Sequence, residues 1–68
     1  MKKRIIAAAE NLGLTFGLSR FAGNPRWECC GRFLMGAESL ADVLGWAHEI
    51  SGNPAFLKLQ ARAERAGL

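Results

Sequence analysis

Apolar residues recur at helical spacing in three stretches of the chain, each bounded by residues that favour helix ends. The first is Lys2–Leu12, followed by Gly13, which suits a helix C-terminus. The second begins after Ser39, a good N-cap with Asp42 three residues later, and stops at Gly52. Its predicted buried stripe, with Trp46 at the border, is Leu40, Val43, Leu44, Ala47 and Ile50.

Asn53 and Pro54 open a third helix. An asparagine side chain accepts hydrogen bonds from the first free N–H groups, and proline fits the first helical position. One side of this helix is lined by Phe56, Leu59, Gln60 and Ala63. Another side carries the basic residues Lys58, Arg62 and Arg65. The sequence therefore predicts three short amphipathic helices.

Between the first and second helices the hydrophobic period changes to two, which is the mark of a half-buried strand. Leu14, Phe16 and Leu18 alternate with small or polar residues, and the turn-forming segment 22–25 follows them. A second strand is predicted over residues 26–35. Its expected inward side chains are Trp27, Cys29, Phe33 and Met35, and its outward ones are Arg26, Glu28, Cys30, Arg32 and Leu34.

The order of these elements is α-β-β-α-α, which predicts an α+β fold for residues 1–68 as a single compact domain. A two-stranded antiparallel hairpin is expected to pack Leu18, Trp27, Cys29 and Phe33 against the three helices. A chain of 68 residues buries only about 60% of its unfolded surface, so its core is small. Homodimerisation is one way to enlarge such a core.

The two cysteines are predicted to be separate and reduced. Neighbouring strand residues point to opposite faces, so Cys29 and Cys30 are not expected to close an unstrained disulfide. A structural zinc needs four ligands, and the chain offers two adjacent cysteines and one histidine. Neither a metal nor another cofactor is therefore predicted. The short apolar run at residues 5–9 suits neither a secretion signal nor a membrane span, which favours a cytoplasmic protein with no membrane partner.

Catalytic chemistry finds little support in the residues. His48 is the only histidine, and its pairing with Cys29 or Cys30 is the one nucleophilic arrangement to weigh. A half-exposed polar role beside the core explains His48 more simply. The carboxylates are typical of a surface, and the scattered glycines form no phosphate-binding loop. We therefore expect no catalytic residues and no enzymatic activity.

A formal charge of +3 and a pI near 9.4 permit a nucleic-acid partner without requiring one. The basic residues of the outer hairpin face are Arg20, Arg26 and Arg32, and those of the last helix are Lys58, Arg62 and Arg65. Together they favour, as the alternative function, a nucleic-acid-binding module. The exposed strand row lacks aromatics for base stacking, and Phe21 is the one candidate for that role.

Protein binding is the function that the sequence favours first. Phe21 breaks the phase of its strand, Leu34 falls on the outward row, and Leu57 leaves the helix stripe. These residues predict an interaction surface or a homodimer seam. The candidate partner-binding residues are Arg20, Phe21, Arg26, Arg32, Leu34, Lys58, Arg62 and Arg65. In size and compact, basic make-up the chain is similar to small accessory proteins of bacteriophages and bacteria, including inhibitors that occupy a host protein.

Overall fold

The fold was described from a computed structural model, which places residues 1–18, 25–34 and 39–68; at residues 17, 18, 25 and 26 it places the backbone alone. The helices are α1 (Lys2–Asn11), α2 (Leu40–Ser51) and α3 (Ala55–Arg65), and the strands are β1 (Leu14–Leu18), β2 (Pro25–Cys29) and β3 (Arg32–Leu34). The predicted α+β class and the three helices are confirmed. The predicted two-stranded sheet is wrong, because the described residues form a three-stranded antiparallel sheet in the order β1-β2-β3.

The helix boundaries follow the local signals in the sequence. The Ser39 hydroxyl accepts a hydrogen bond from the Asp42 N–H at 3.2 Å, and Gly52 ends α2 in the left-handed conformation at φ +69°. The Asn53 side chain accepts a hydrogen bond from the Ala55 N–H at 3.0 Å at the start of α3. The predicted caps of α2 are therefore confirmed, whereas α3 begins at Ala55 with Pro54 in the N-cap position, one residue later than predicted.

The return of β2 along β1 is also antiparallel, as predicted. Leu14 pairs with Cys29, and Phe16 pairs with Trp27. The Phe16 and Trp27 rings lie 4.6 Å apart between centroids and are tilted by 42°, a favourable arrangement for an aromatic pair. Most of the predicted turn between these strands, at residues 22–24, lies outside the described residues.

A tight turn divides the predicted second strand into β2 and β3. Cys30 and Gly31 both have positive φ, at +55° and +77°, which is the signature of a two-residue type I′ hairpin. Cys29 therefore pairs with Arg32 across the turn. The prediction of one continuous strand over residues 26–35 is wrong, and its last residue, Met35, lies outside the described residues.

This turn reverses which side chains of β3 face the core. In a continuous strand Phe33 would share the face of Cys29, but across the hairpin Trp27 pairs with Leu34 and Glu28 with Phe33. Leu34 is accordingly buried at 4% exposure, whereas Phe33 is 39% exposed. The predicted inward position of Phe33 and outward position of Leu34 are both wrong.

The core lies where the helices meet one face of the sheet. Helix α2 packs on α3, β2 and β3, while α1 packs on α3 and β1. The largest fully buried side chains are Phe56, Ile5, Leu14, Leu44 and Cys29. The backbone oxygen of Leu68 accepts hydrogen bonds from the Leu40 and Ala41 N–H groups at 2.8 and 3.4 Å, which joins the end of α3 to the start of α2. Within the described ranges, no helix has the length and apolar character needed to cross a bilayer.

Candidate functional site

Three large hydrophobic side chains are exposed on neighbouring elements. Phe33 of β3 is 39% exposed, Trp46 of α2 is 46% exposed and Leu57 of α3 is 45% exposed. They line two depressions. The first, which we call the helix groove, is lined by Asp42, Gly45, Trp46, His48, Glu49, Leu57 and Gln60. The second, the hairpin groove, is lined by Cys30, Arg32, Phe33, Trp46, Glu49 and Ile50.

The two grooves form one continuous surface because both are lined by Trp46 and Glu49. We call it the Trp46 surface. Asp42, Trp46 and Glu49 lie four and three residues apart, so they follow one side of α2. The opposite side of the helix carries its buried residues, which are Leu40, Ala41, Val43, Leu44 and Ala47. The sequence signal that was missed is this spacing, which turns Trp46 toward solvent between two carboxylates.

Gly45 shapes the floor of the helix groove. A Cβ atom at Gly45 would lie 2.6 Å from Nε2 of Gln60, which is too close for a normal contact. The Gln60 amide can therefore pack against α2 at this point because Gly45 has no side chain. Gln60 lies three residues after Leu57, and both reach the groove from the same side of α3. The contact between α2 and α3 therefore leaves a depression in which Trp46 and Leu57 lie beside the polar side chains of Asp42, Glu49 and Gln60.

Phe33 lines the hairpin groove because of the tight turn at Cys30 and Gly31. Because Cys30 and Gly31 reverse the chain, Phe33 projects away from the core and lines the groove together with Trp46. Arg32, the first residue of β3, is exposed and lines the same groove. Gly31 was the available sequence signal, since glycine is favoured at the second central position of a type I′ turn, although Cys30 is not a preferred residue at the first.

The two cysteine sulfurs lie close together. Cys29 is buried and Cys30 is exposed, both are free thiols, and their Sγ atoms are 3.7 Å apart. The prediction that they point to opposite faces of a strand is wrong, because Cys30 belongs to the turn. Burial, and then the neighbouring Cys30 thiol, raise the pKa of the Cys29 thiol from 9.0 to about 11, so Cys29 keeps its proton at neutral pH.

His48 and Cys30 line different grooves, which gives no support to a catalytic pair between them. His48 is half-buried on α2 and lines the helix groove, whereas Cys30 lines the hairpin groove. Among the described residues, no group of three or more histidine, cysteine or acidic side chains is placed to hold a metal ion.

The predicted partner-binding residues are distributed over several parts of the molecule. Leu34 is buried, so its side chain is inaccessible to a partner in the folded chain. The basic residues Lys58, Arg62 and Arg65 are exposed on α3. Arg62 and Arg65 line a depression with Met1 and Ala66, whereas Arg32 lines the hairpin groove. Arg20 and Phe21 lie outside the described residues, and only the backbone of Arg26 is described.

Comparison with known proteins found no matching protein-family model, curated protein or solved structure.

Proposed function

We propose that this chain is a non-catalytic protein-binding domain, of the kind that acts as an inhibitor, adaptor or accessory subunit, and that it binds its partner through the Trp46 surface. The observation that supports the proposal is the convergence of Phe33, Trp46 and Leu57, each 39–46% exposed, on two adjoining grooves. Exposed aromatic side chains beside shallow grooves are the features that most often dominate the free energy of protein association.

The two carboxylates beside Trp46 favour a cationic group on the partner at that point of the surface, with Arg32 at its far side in the hairpin groove. Asp42 and Glu49 lie on either side of Trp46 along α2, and both are exposed. An indole ring attracts a cation to its face, and adjacent carboxylates add to that attraction. We therefore expect the partner to present an arginine or lysine between apolar side chains. The cation would lie on Trp46, and the apolar groups would contact Phe33 and Leu57.

The test is affinity capture from cells of the source organism, with the wild-type chain compared with Trp46→Ser and Leu57→Ser. A matched control is Phe16→Ser, because Phe16 is 57% exposed on β1, the opposite edge strand of the sheet from β3, and lines neither groove. The expected result is a protein retained by the wild type and by Phe16→Ser, and lost with both variants of the Trp46 surface. All four chains are first compared by circular dichroism.

Two outcomes would overturn this assignment. One is a captured protein whose retention falls equally with Phe16→Ser, because the Trp46 surface would then have no special role. The other is a purified chain that sediments as a dimer and becomes monomeric with Trp46→Ser. That result would assign the surface to a second copy of the chain.

The alternative function, nucleic-acid binding, gains one observation at the opposite end of the helices. Arg62 and Arg65 share a depression with Met1, and α1 begins immediately afterwards with three exposed basic residues at 2–4. Cations in the first turn of a helix oppose its dipole, so a bound phosphate chain would relieve that repulsion. Arg62 and Arg65 thus lie next to the basic start of α1.

This alternative is tested by fluorescence anisotropy with single- and double-stranded oligonucleotides over a series of salt concentrations. If the chain binds nucleic acid, the logarithm of the binding constant should fall linearly with the logarithm of the salt concentration. Replacing Arg62 and Arg65 by Ala should reduce the slope of this line by roughly one for each phosphate contact that is lost. Binding that is absent at physiological salt, or unchanged in the double variant, would eliminate this function.

A further inference from the structure

The Cys29 and Cys30 thiols form a pair whose geometry comes from the hairpin turn. Cys29 is the last residue of β2, and Cys30 is the first turn residue, at φ +55°. In an extended strand the two side chains would diverge, but the left-handed conformation of Cys30 brings its sulfur to 3.7 Å from that of Cys29. Both thiols are free, and Cys30 is exposed.

The distance between the two sulfurs suits the binding of one thiophilic atom by both of them. A disulfide bond needs about 2.04 Å between the sulfurs, much less than the 3.7 Å found here. Two thiolates bound to one tetrahedral ion at about 2.3 Å are roughly 3.8 Å apart. The two sulfurs are therefore placed to reach one atom between them with little movement of the backbone.

The number of protein ligands available around the two thiols limits which element they can bind. The described residues provide no third cysteine, histidine or acidic side chain that would complete a metal site with these thiols. From the described residues, a zinc ion would therefore have these two thiolates and no further ligand, whereas a structural zinc site needs four. A trivalent arsenic atom with one organic substituent needs two sulfurs only, because its third bond is to carbon. Thiolates are the soft ligands that such thiophilic centres prefer.

We propose that Cys29 and Cys30 form a two-thiol site for soft thiophilic centres, with monosubstituted trivalent arsenicals as the class whose coordination the pair completes. With an arsenic oxide, R–As=O, two As–S bonds form and the As=O bond breaks. The two thiol protons go to the oxygen, which leaves as water. Arsenic remains trivalent, so the step needs no oxidant or reductant.

The surroundings of the thiols set the order of these bonds and the choice of substituent. Cys30 is exposed and reacts first, and closure to the buried Cys29 is then intramolecular. The raised pKa of Cys29 is compatible with this step, because the neutral thiol delivers its proton to the leaving oxygen. Phe33 and Trp46 line the same groove as Cys30, so an aryl group on arsenic has aromatic side chains to pack against.

The experiment uses phenylarsine oxide with the reduced chain, and reads the adduct by intact mass spectrometry and by titration of free thiols. The expected product contains one reagent molecule less one water, has no free thiol, and survives excess monothiol but not excess 1,2-dithiol. Cys30→Ser, which alters an exposed residue, should bind the reagent about a hundredfold more weakly, since the second bond loses its intramolecular advantage. Cys29→Ala should show the same loss.

Three results would overturn the proposal. The first is that the thiols of the wild type remain titratable after the reagent is added. The second is that the adduct of Cys30→Ser resists monothiol as well as the wild-type adduct does. The third is that the wild type binds the reagent with the same affinity in concentrated urea as in its folded state. The last result would show that adjacency in the sequence, rather than the hairpin, creates the site. Because none of these readouts involves a protein partner, the outcome is independent of the proposed protein-binding function.

Discussion

The α2–α3 helix pair and the β2–β3 hairpin differ in what decides which side chains are buried. In the helices, spacing within one element is sufficient, and the predicted core residues Leu40, Val43 and Leu44 are buried. In the hairpin, the outcome depends on where the chain turns. Lengthening the turn by a single residue would shift the register by one and exchange the inner and outer faces of the strand that follows. The Trp46 surface arises where these two regions meet.

The sharpest contrast within the helix pair is between two adjacent residues of α3. Phe56 is fully buried, whereas Leu57 is 45% exposed. Replacing Phe56 by Ala should lower the free energy of unfolding by about 3–5 kcal/mol, because a large cavity opens in a small core. Leu57→Ala should cost about 1 kcal/mol or less. Urea denaturation measures both, and equal costs would mean that α3 is rotated from the position described.

The corresponding pair in the hairpin is Leu34 and Phe33, at 4% and 39% exposure. Leu34→Ala should lower the free energy of unfolding by about 2–5 kcal/mol, as expected for a buried leucine. Phe33→Ala should cost about 1 kcal/mol or less, despite removing the larger side chain. The same denaturation experiment decides the matter. A larger loss for Phe33→Ala would restore the continuous strand predicted from the alternation.

Changes in the turn itself should have smaller effects with opposite signs. Gly31→Ala should lower the free energy of unfolding by about 1–2 kcal/mol, the cost of a left-handed non-glycine residue. No atom lies within 4 Å of the added Cβ, so the cost is conformational rather than steric. Cys30→Asn should raise it by a few tenths of a kcal/mol, because Asn-Gly is the preferred type I′ pair. Thermal unfolding of the two variants, read beside the wild type, is the measurement, and destabilisation by Cys30→Asn would contradict the assigned turn.

The smallest expected effect is the pH dependence contributed by Cys29. Its pKa is raised from 9.0 to about 11, so the folded chain holds this proton more tightly than the unfolded chain. The resulting stabilisation is fully present below pH 9 and is lost as the pH rises through about 11. We therefore expect wild-type stability to fall more steeply over this interval than that of Cys29→Ala. Chemical denaturation at several pH values measures the free energy of unfolding of both chains. If the two free energies change with pH in parallel, burial does not raise the pKa of Cys29.

The contrast between the two regions also explains which features could be predicted from the sequence. The caps at Ser39, Gly52 and Asn53 were predictable because each acts on backbone groups a few residues away. The division of the second strand was hidden because the apolar alternation continues in the same phase through Arg32 and Phe33, although the turn reverses the faces of β3. A period of two reports that a segment is extended, but it does not report which partner strand fixes its faces.

The functional surface was predictable only in part for the same reason. The sequence predicts Leu57 as an apolar residue outside its helix stripe, and it is exposed. The alternation predicts Phe33 in the core and Leu34 at the surface, and both predictions are wrong because the positions of these side chains depend on the turn. Trp46 was placed at the border of its stripe, although its spacing from Asp42 and Glu49 indicates solvent exposure. The proximity of the two sulfurs depends on the φ angle of Cys30, which no hydrophobic pattern encodes.

The central claim is that the chain reverses at Cys30-Gly31, since this reversal exposes Phe33 beside Trp46 and brings the two thiols together. The most direct measurement is a set of cross-strand backbone nuclear Overhauser effects in the isotopically labelled chain. We expect contacts between Trp27 and Leu34, Glu28 and Phe33, and Cys29 and Arg32, as the register requires. An uninterrupted sequential pattern through residues 26–34, without these contacts, would contradict the account.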